Sequence, residues 1–227
     1  MWRAALLAGA LLWAAQAAAA CRLALLLAVD VSSSVDDYEH DLQRGGLAAA
    51  LTHEDISSAI LNGPGEVALA IYEWSGRRQQ RVVVDWTMLR GRGDLLSVAE
   101  TVLAAPRSFS EYPTAMGFAL GFGHTMMRRA PACGRQVIDL SGDGRTNDGF
   151  GPDLAYKHFD FSRIVVNGLA IRGADVEVVE YFEREVAHGP LSFVEVARNY
   201  ADFERAMVRK LYRELSEVVF GSAEPRP

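Results

Sequence analysis

The sequence predicts an α/β fold: a doubly wound, mainly parallel sheet of six strands with one antiparallel edge strand, covered by helices to give three layers. Short apolar runs alternate with stretches of helical length along the chain, a pattern typical of parallel sheets with helices on both faces. The first run, residues 23–29, is wholly apolar, as expected for a buried strand. A turn at residues 75–78 joins two strand-like runs, which predicts the antiparallel pair.

The predicted strands end at polar or turn-forming residues. The second strand follows the turn signal Asn-Gly-Pro-Gly at residues 62–65. The third pairs back on the second as an edge strand, and Gln79 and Arg81 keep that edge soluble. The six predicted strands are residues 22–31, 66–74, 79–85, 135–141, 163–170 and 192–196.

The predicted helices lie between these strands and begin at residues that can cap them. Ser34, with Asp37 three residues later, is the expected cap of the first helix. Asp94 is the expected cap of the third helix, and Thr114 is expected to open the fourth. The predicted helices are residues 35–51, 54–61, 94–104, 114–129, 152–161, 175–186 and 199–219.

The length and charge of the chain narrow its class. With 227 residues, half of them apolar, it is within reach of one α/β domain. Its net charge is −6 and it has no basic block. Because phosphate binding needs a clustered positive surface, nucleic acid is not expected as the main partner.

The N-terminal residues predict export. Residues 1–20 resemble a signal peptide, with Arg3, an apolar stretch at 4–13 and small residues at 18–20 for cleavage; a membrane anchor is the alternative. No second segment is long and apolar enough to span a bilayer. We therefore expect a periplasmic or secreted protein with one domain at residues 21–220 and a flexible tail at 221–227.

The two cysteines have matching positions relative to two acidic residues. Cys21 lies nine residues before Asp30, and Cys133 lies ten before Asp143. If both Asp residues end neighbouring parallel strands, both cysteines begin them. Strands about 4.8 Å apart allow a disulfide, whose Cα atoms are commonly about 5.5–6 Å apart. An oxidising compartment favours the bond, and lipidation of Cys21 or two free thiols are the alternatives.

Oxygen donors follow three predicted elements that should end at one edge of the sheet. Asp30, Ser32 and Ser34 follow the first strand, Thr114 opens a helix, and Asp143 follows the strand at 135–141. Ligands of open α/β sheets bind at the carboxyl ends of the strands, and carboxylate and hydroxyl oxygens suit a small hard cation such as Mg²⁺. Taken singly, Ser34 and Thr114 can also be helix caps and Ser32 a turn residue.

In their order, these elements resemble the metal-ion-dependent adhesion site of von Willebrand factor type A domains. The resemblance consists of the D-x-S-x-S of residues 30–34, the T-x-x-G-x-A-L of residues 114–120 and the Asp-Gly of residues 143–144. It covers the whole mature chain and implies the family's Rossmann-like fold. Asp139, a polar residue in the strand before Asp143, is not explained by it.

The resemblance also implies roles for individual residues. The hydroxyls of Ser32, Ser34 and Thr114 would contact a Mg²⁺ ion, with Mn²⁺ or Ca²⁺ as alternatives. Asp30 and Asp143 would act directly or through water, and an Asp or Glu of a partner protein would complete the coordination. The family generally binds proteins, and the chain is also similar to secreted bacterial proteins of this type whose function is undefined.

The sequence therefore predicts an exported, cation-dependent protein-binding module rather than an enzyme. No dinucleotide, P-loop or nucleophile-elbow motif occurs where it would be needed. A periplasmic metal-dependent hydrolase of phosphatase type is the first alternative, although no base for it is evident. A structural module that binds no metal is the second. The sequence does not indicate the oligomeric state.

Overall fold

A computed structural model describes residues 20–173 and 175–216. The predicted signal peptide, apart from Ala20, and the predicted tail lie outside these residues. None of the helices in the described ranges is long and apolar enough to cross a membrane. The strands are β1 (Cys21–Asp30), β2 (Glu66–Trp74), β3 (Gln80–Leu89), β4 (Arg135–Gly142), β5 (Ile164–Ile171) and β6 (Val194–Ala197).

The six strands form one sheet in the order β3-β2-β1-β4-β5-β6. Neighbouring strands are parallel except β2 and β3, which form the antiparallel pair at one edge. The predicted fold class is therefore confirmed. The chain moves outward from β1 in one direction and then, from β4, in the other, so the carboxyl ends of β1 and β4 meet at the point where the strand order reverses. This is where α/β sheets bind ligands.

Helices cover both faces of this sheet. Their bounds are α1 (Asp37–Thr52), α2 (Glu54–Leu61), α3 (Arg92–Ala104), α4 (Met116–Met127), α5 (Pro152–His158), α6 (Val178–Tyr181), continued by a π-helical turn (Phe182–Val186), and α7 (Phe203–Ser216), preceded by a 3₁₀ turn (Tyr200–Asp202).

Strand β1 contributes to two separate cores. Leu25 and Leu27 pack on the side of α1, α2, α3 and α7, whereas Leu26 and Ala28 pack on the side of α4 and α5. Successive side chains of a strand point to opposite faces. This explains why residues 23–29 of β1 are apolar at every position and not at alternate ones.

The caps of two helices differ from the prediction. The cap of α1 is Asp36, whose carboxylate accepts from the amide of Glu39 at 2.8 Å, while the amide of Asp36 donates to the carboxylate of Glu39. Ser34 is not the cap because its hydroxyl donates to Asp143 instead. Asp94 lies inside the first turn of α3, where it accepts from the amides that precede the helix.

The other element ends shift by a few residues. Helix α4 begins at Met116 and not at Thr114, which leaves Thr114 in the preceding loop. Strand β3 extends to Leu89, and the helix predicted at 175–186 is a short α-helix followed by a π-helical turn.

The predicted disulfide is confirmed. Cys21 and Cys133 are bonded, with Cα atoms 4.5 Å apart. The bond forms because β1 and β4 are adjacent and parallel, with Leu23 opposite Arg135. It therefore joins the two strands whose other ends carry Asp30 and Asp143.

Asp139 belongs to a buried charge cluster under α7. The ammonium of Lys210 lies 3.0 Å from a carboxylate oxygen of Asp139 and 2.7 Å from one of Glu214. The amide of Asn167, opposite Asp139 on β5, donates to Glu214 at 3.0 Å. The three charged residues are at most 1% exposed. The cluster accounts for the polar residue that the resemblance left unexplained: it joins the central strand β4 to the last helix.

Candidate metal centre

Asp30 supplies a buried carboxylate at the end of β1. The residue is 0% exposed, and its Oδ1 accepts from the amide of Ser32 at 2.8 Å. Its Oδ2 is also buried but accepts no hydrogen bond from any residue that the structure describes. Burial, followed by the charge of Asp143, raises the pKa of Asp30 to about 7, against the lowering effect of the Ser32 hydrogen bonds. A buried oxygen without a donor is costly unless something binds it.

Three loops carry the candidate site: the first follows β1 (residues 31–36), the second joins α3 to α4 (residues 105–115) and the third follows β4 (residues 143–151). Hydroxyl groups connect these loops. Thr114 donates to the hydroxyl of Ser32 at 3.2 Å, and the hydroxyls of Ser32 and Ser34 are 3.2 Å apart. Ser34 in turn donates to Asp143 Oδ1 at 2.7 Å. The structure thus brings all five residues predicted for the site into one hydrogen-bonded network, which Asp30 joins through the amide of Ser32.

The network is buried on one side and open on the other. Ser32 and Thr114 are buried, whereas Ser34 is exposed. Ser34, Thr114 and Asp143 line an open cleft of about 510 Å³ that also includes Asn147 and Tyr181. A ligand can therefore reach the oxygen atoms from solvent.

Asn147 and Thr146 hold Thr114 in place, a role that the sequence interpretation missed. Asn147 Oδ1 accepts from the amide of Thr114 at 2.8 Å, and the amide of Asn147 donates back to the Thr114 carbonyl at 3.0 Å. The hydroxyl of Thr146 accepts from the amide of Met116. Asn147 belongs to an Asn-Asp-Gly sequence that indicates a turn, and its closeness to Asp143 is the signal that points to the site.

Gly117 lets α4 approach this third loop. A Cβ at Gly117 would lie 2.3 Å from the carbonyl oxygen of Phe150 and 2.4 Å from its ring. Only glycine avoids that clash. The close approach places the first turn of α4, and with it Thr114, against the loop that carries Asp143.

Arg107 holds the first loop and was also missed. Its guanidinium donates to the carbonyl oxygens of Val31, Ser32 and Val35, and to the carboxylate of Asp37 at 2.9 Å. It comes from the loop between α3 and α4, more than seventy residues along the chain. No local sequence pattern distinguishes this arginine from the others.

Tyr200 lies behind the two carboxylates. Burial of its phenol, followed by the negative charges of Asp143 and Asp30, raises the pKa of Tyr200. The phenol therefore stays protonated at neutral pH and adds no charge to the centre. Nothing in the sequence links Tyr200 to the three loops.

The oxygen donors fit a hard cation better than a soft one. Two carboxylates and three hydroxyls are available, and one carboxylate oxygen has no donor among the residues that the structure describes. Within the described residues, no group of three or more His, Cys, Asp or Glu side chains is arranged to hold a metal. Any cation at this site would therefore depend on the hydroxyls as well as the two carboxylates, and oxygen donors of this kind suit hard cations such as Mg²⁺.

Comparison with known protein families identifies the family of this chain. The family described as "Protein of unknown function (DUF1194)" matches residues 20–219. The chain belongs to this family. A search of curated protein sequences gave no match.

Solved structures show that this member of the family has the von Willebrand factor type A fold. A von Willebrand factor type A protein from Catenulispora acidiphila matches with a TM-score of 0.60, 15% identity and 88% of this chain covered. The PilB minor pilin from Streptococcus sanguinis matches with a TM-score of 0.68 and 12% identity, with 90% of this chain covered. Proximal thread matrix protein 1 from the mussel byssus, with a zinc-occupied MIDAS motif, matches with a TM-score of 0.62 and 12% identity, with 87% of this chain covered. The matches span 43%, 64% and 47% of those chains, respectively.

The raised pKa values of Asp30 and Asp139 predict that the metal-free protein becomes less stable as the pH rises from about 4 to about 7. Burial first, and then the charge of Glu214, raise the pKa of Asp139 to about 7, against the attraction of Lys210. Both carboxyl groups ionise near 3.8 when exposed. Between these values the native state binds more protons than the unfolded chain, so raising the pH favours unfolding.

Urea unfolding in EDTA at about pH 5 and about pH 8 measures this effect. We expect Asp30→Asn and Asp139→Asn each to remove part of the pH dependence, because each amide mimics the neutral acid. Burial lowers the pKa of His188, so below pH 6.5 this histidine makes the protein more stable as the pH rises, which opposes the effect of the two carboxyl groups. The comparison with the variants therefore decides which groups cause the pH dependence. The same pH dependence in all three proteins would contradict the assignment.

Proposed function

We propose that this protein is an exported module that binds Mg²⁺ through Asp30, Ser32, Ser34, Thr114 and Asp143 and uses it to bind a carboxylate of a partner protein. The buried Oδ2 of Asp30, without a donor among the described residues, is the observation that carries the proposal. A bound cation would supply Lewis acidity that attracts the acidic group, and Mn²⁺ or Ca²⁺ could take its place.

The cleft supports a protein partner. Ser34 lines the cleft and is exposed, so an Asp or Glu side chain can reach it from solvent. The backbone of Tyr112 accepts from Ser33 at 2.9 Å, which places this half-exposed aromatic residue beside the first loop. Aromatic side chains are enriched at protein interfaces. The zinc-occupied MIDAS motif of the mussel protein and the pilus role named for PilB are consistent with this function.

Export is supported by the disulfide. A bond between Cys21 and Cys133 persists in an oxidising compartment, such as the periplasm or the extracellular space. It also uses Cys21 as a structural residue and so disfavours lipidation there. With cleavage after Ala20, the module would begin at the first residue of β1.

The alternatives have less support. A metal-dependent hydrolase needs a base to activate water, and no histidine in the described residues hydrogen-bonds to the oxygen network. A structural module without metal would leave the Asp30 oxygen unsatisfied in its buried position.

Titration calorimetry with MgCl₂ and MnCl₂ tests the proposal on residues 21–227. We expect saturable binding by the wild type and none by Asp30→Asn, because the amide keeps the shape of the side chain and removes its charge. Asp148→Asn is the matched control, since Asp148 lies in the third loop but pairs with Arg77 at 2.7 Å. Binding only to the native state should also raise the melting temperature. Equal heats from wild type and Asp30→Asn, or no heat from the wild type, would contradict the metal site.

A further inference from the structure

The connection between α3 and α4, residues 105–115, contacts the first metal-candidate loop and also carries Thr114. The amide of Ser33 donates to the Tyr112 carbonyl at 2.9 Å. At the other end of the connection, the amide of Ser108 donates to Glu73 on β2 at 2.9 Å. The connection is thereby fixed to the sheet on one side and to the first loop on the other.

Arg107 makes the densest set of contacts between these two segments. One nitrogen, Nη2, reaches the carbonyl oxygens of Val31 at 3.3 Å and Ser32 at 3.1 Å, and also that of Val35. The other, Nη1, donates to Asp37 at 2.9 Å. The side chain is 12% exposed, whereas that of Asp37 is 94% exposed. One guanidinium nitrogen therefore holds the loop backbone, while the other pairs with the exposed carboxylate of Asp37.

An arginine is suited to this task because its guanidinium is planar and presents five donors in a rigid arrangement. A lysine carries the same charge on one flexible ammonium, so it cannot hold the loop carbonyls and Asp37 from two fixed nitrogens as the guanidinium does. The backbone that Arg107 holds includes Ser32, whose hydroxyl lies 3.2 Å from that of Thr114. The spacing of the two hydroxyls thus depends on the contact between the loop and the connection.

We propose that Arg107 is a positioning residue that sets the spacing of the Ser32, Ser34 and Thr114 hydroxyls and so makes the centre select Mg²⁺ over Ca²⁺. The inference rests on the proposed cation site. Mg²⁺ demands near-ideal octahedral geometry at about 2.0–2.1 Å, whereas Ca²⁺ accepts about 2.3–2.6 Å and flexible coordination. A rigid loop favours the smaller ion, and a loosened loop tolerates the larger one.

The first measurement needs no metal. Hydrogen exchange of Arg107→Lys in EDTA is expected to show roughly 10-fold faster exchange at the amides of Ser33 and Val35, with unchanged exchange in the middle of β1. Unchanged exchange in β1 shows that the variant is folded. Arg129→Lys is the control, because Arg129 forms a comparable ion pair, with Asp85, but contacts no metal-candidate loop. Unchanged exchange at both loop amides would overturn the positioning role.

The second measurement compares affinities for MgCl₂ and CaCl₂ in the same proteins. Arg107→Lys is expected to weaken Mg²⁺ binding by about 10-fold or more and to weaken Ca²⁺ binding by much less. Because lysine keeps the charge, a change in the affinity ratio reports geometry, which a general loss of stability would not alter. Equal weakening of both ions, or of neither, would overturn the selectivity. If the wild type binds neither ion, the proposed function fails, while the exchange measurement still decides whether Arg107 holds the loop.

Discussion

Replacing Lys210 with methionine is expected to destabilise the protein by about 3–5 kcal/mol at neutral pH. Lys210 is 0% exposed and lies between Asp139 and Glu214, both of which are also buried. Methionine has a similar length but no charge, so the two carboxyl groups would be left without their cation. An uncompensated charge in the interior is far more costly than the loss of a surface pair.

Urea unfolding at pH 7 measures this loss, with Lys157→Met as the control. Lys157 is the other lysine of the chain and is exposed on α5. The triple variant Lys210→Met, Asp139→Leu, Glu214→Leu should recover most of the stability, because buried ion pairs can often be replaced by apolar side chains. A free energy of unfolding for Lys210→Met within about 1 kcal/mol of the wild type would contradict the role of the cluster.

Removing the disulfide is expected to cost roughly 4–5 kcal/mol, the value for a closed loop of about one hundred residues. Cys21 and Cys133 are 112 residues apart, so the bond restricts about half of the unfolded chain. The double variant Cys21→Ser, Cys133→Ser avoids a reactive single thiol. Its free energy of unfolding should match that of the wild type under reducing conditions, and both should lie well below the oxidised protein.

Metal affinity provides an internal control for this second experiment. The disulfide lies at the start of β1 and Asp30 at its end, roughly 30 Å away for ten residues at about 3.3 Å each. The folded fraction of the double variant should therefore bind Mg²⁺ as the wild type does. If the unfolding midpoint did not change, the bond would not contribute to stability.

Local patterns in the sequence were sufficient for the fold class. The alternation of strands and helices predicted the sheet, and the cysteine spacing predicted that the strands ending at Asp30 and Asp143 are neighbours. The positions of Ser32, Ser34 and Thr114 near those strand ends also followed from the sequence. These predictions succeed because carboxyl ends of parallel strands meet at one edge, whatever the helices between them contain.

The start of α1 shows where local patterns fail. Ser34 and Asp36 are both good helix caps, and their local sequence does not decide between them. Asp143, 109 residues further along, engages the Ser34 hydroxyl and leaves Asp36 to cap the helix. The same holds for Thr114, which lies in a loop fixed by Asn147 and not in the helix.

By itself, the sequence determined the sheet and the convergence of five oxygen-bearing residues at one edge, and it favoured a disulfide between the two cysteines. Tertiary structure alone decided that Lys210 lies between Asp139 and Glu214, that Arg107 holds the backbone of the first loop and that Asp30 keeps one buried oxygen without a donor among the described residues. The physical reason is that backbone geometry repeats along the chain and can be read from it. A buried charge, by contrast, is stabilised by whichever distant group the folded chain brings within about 3 Å.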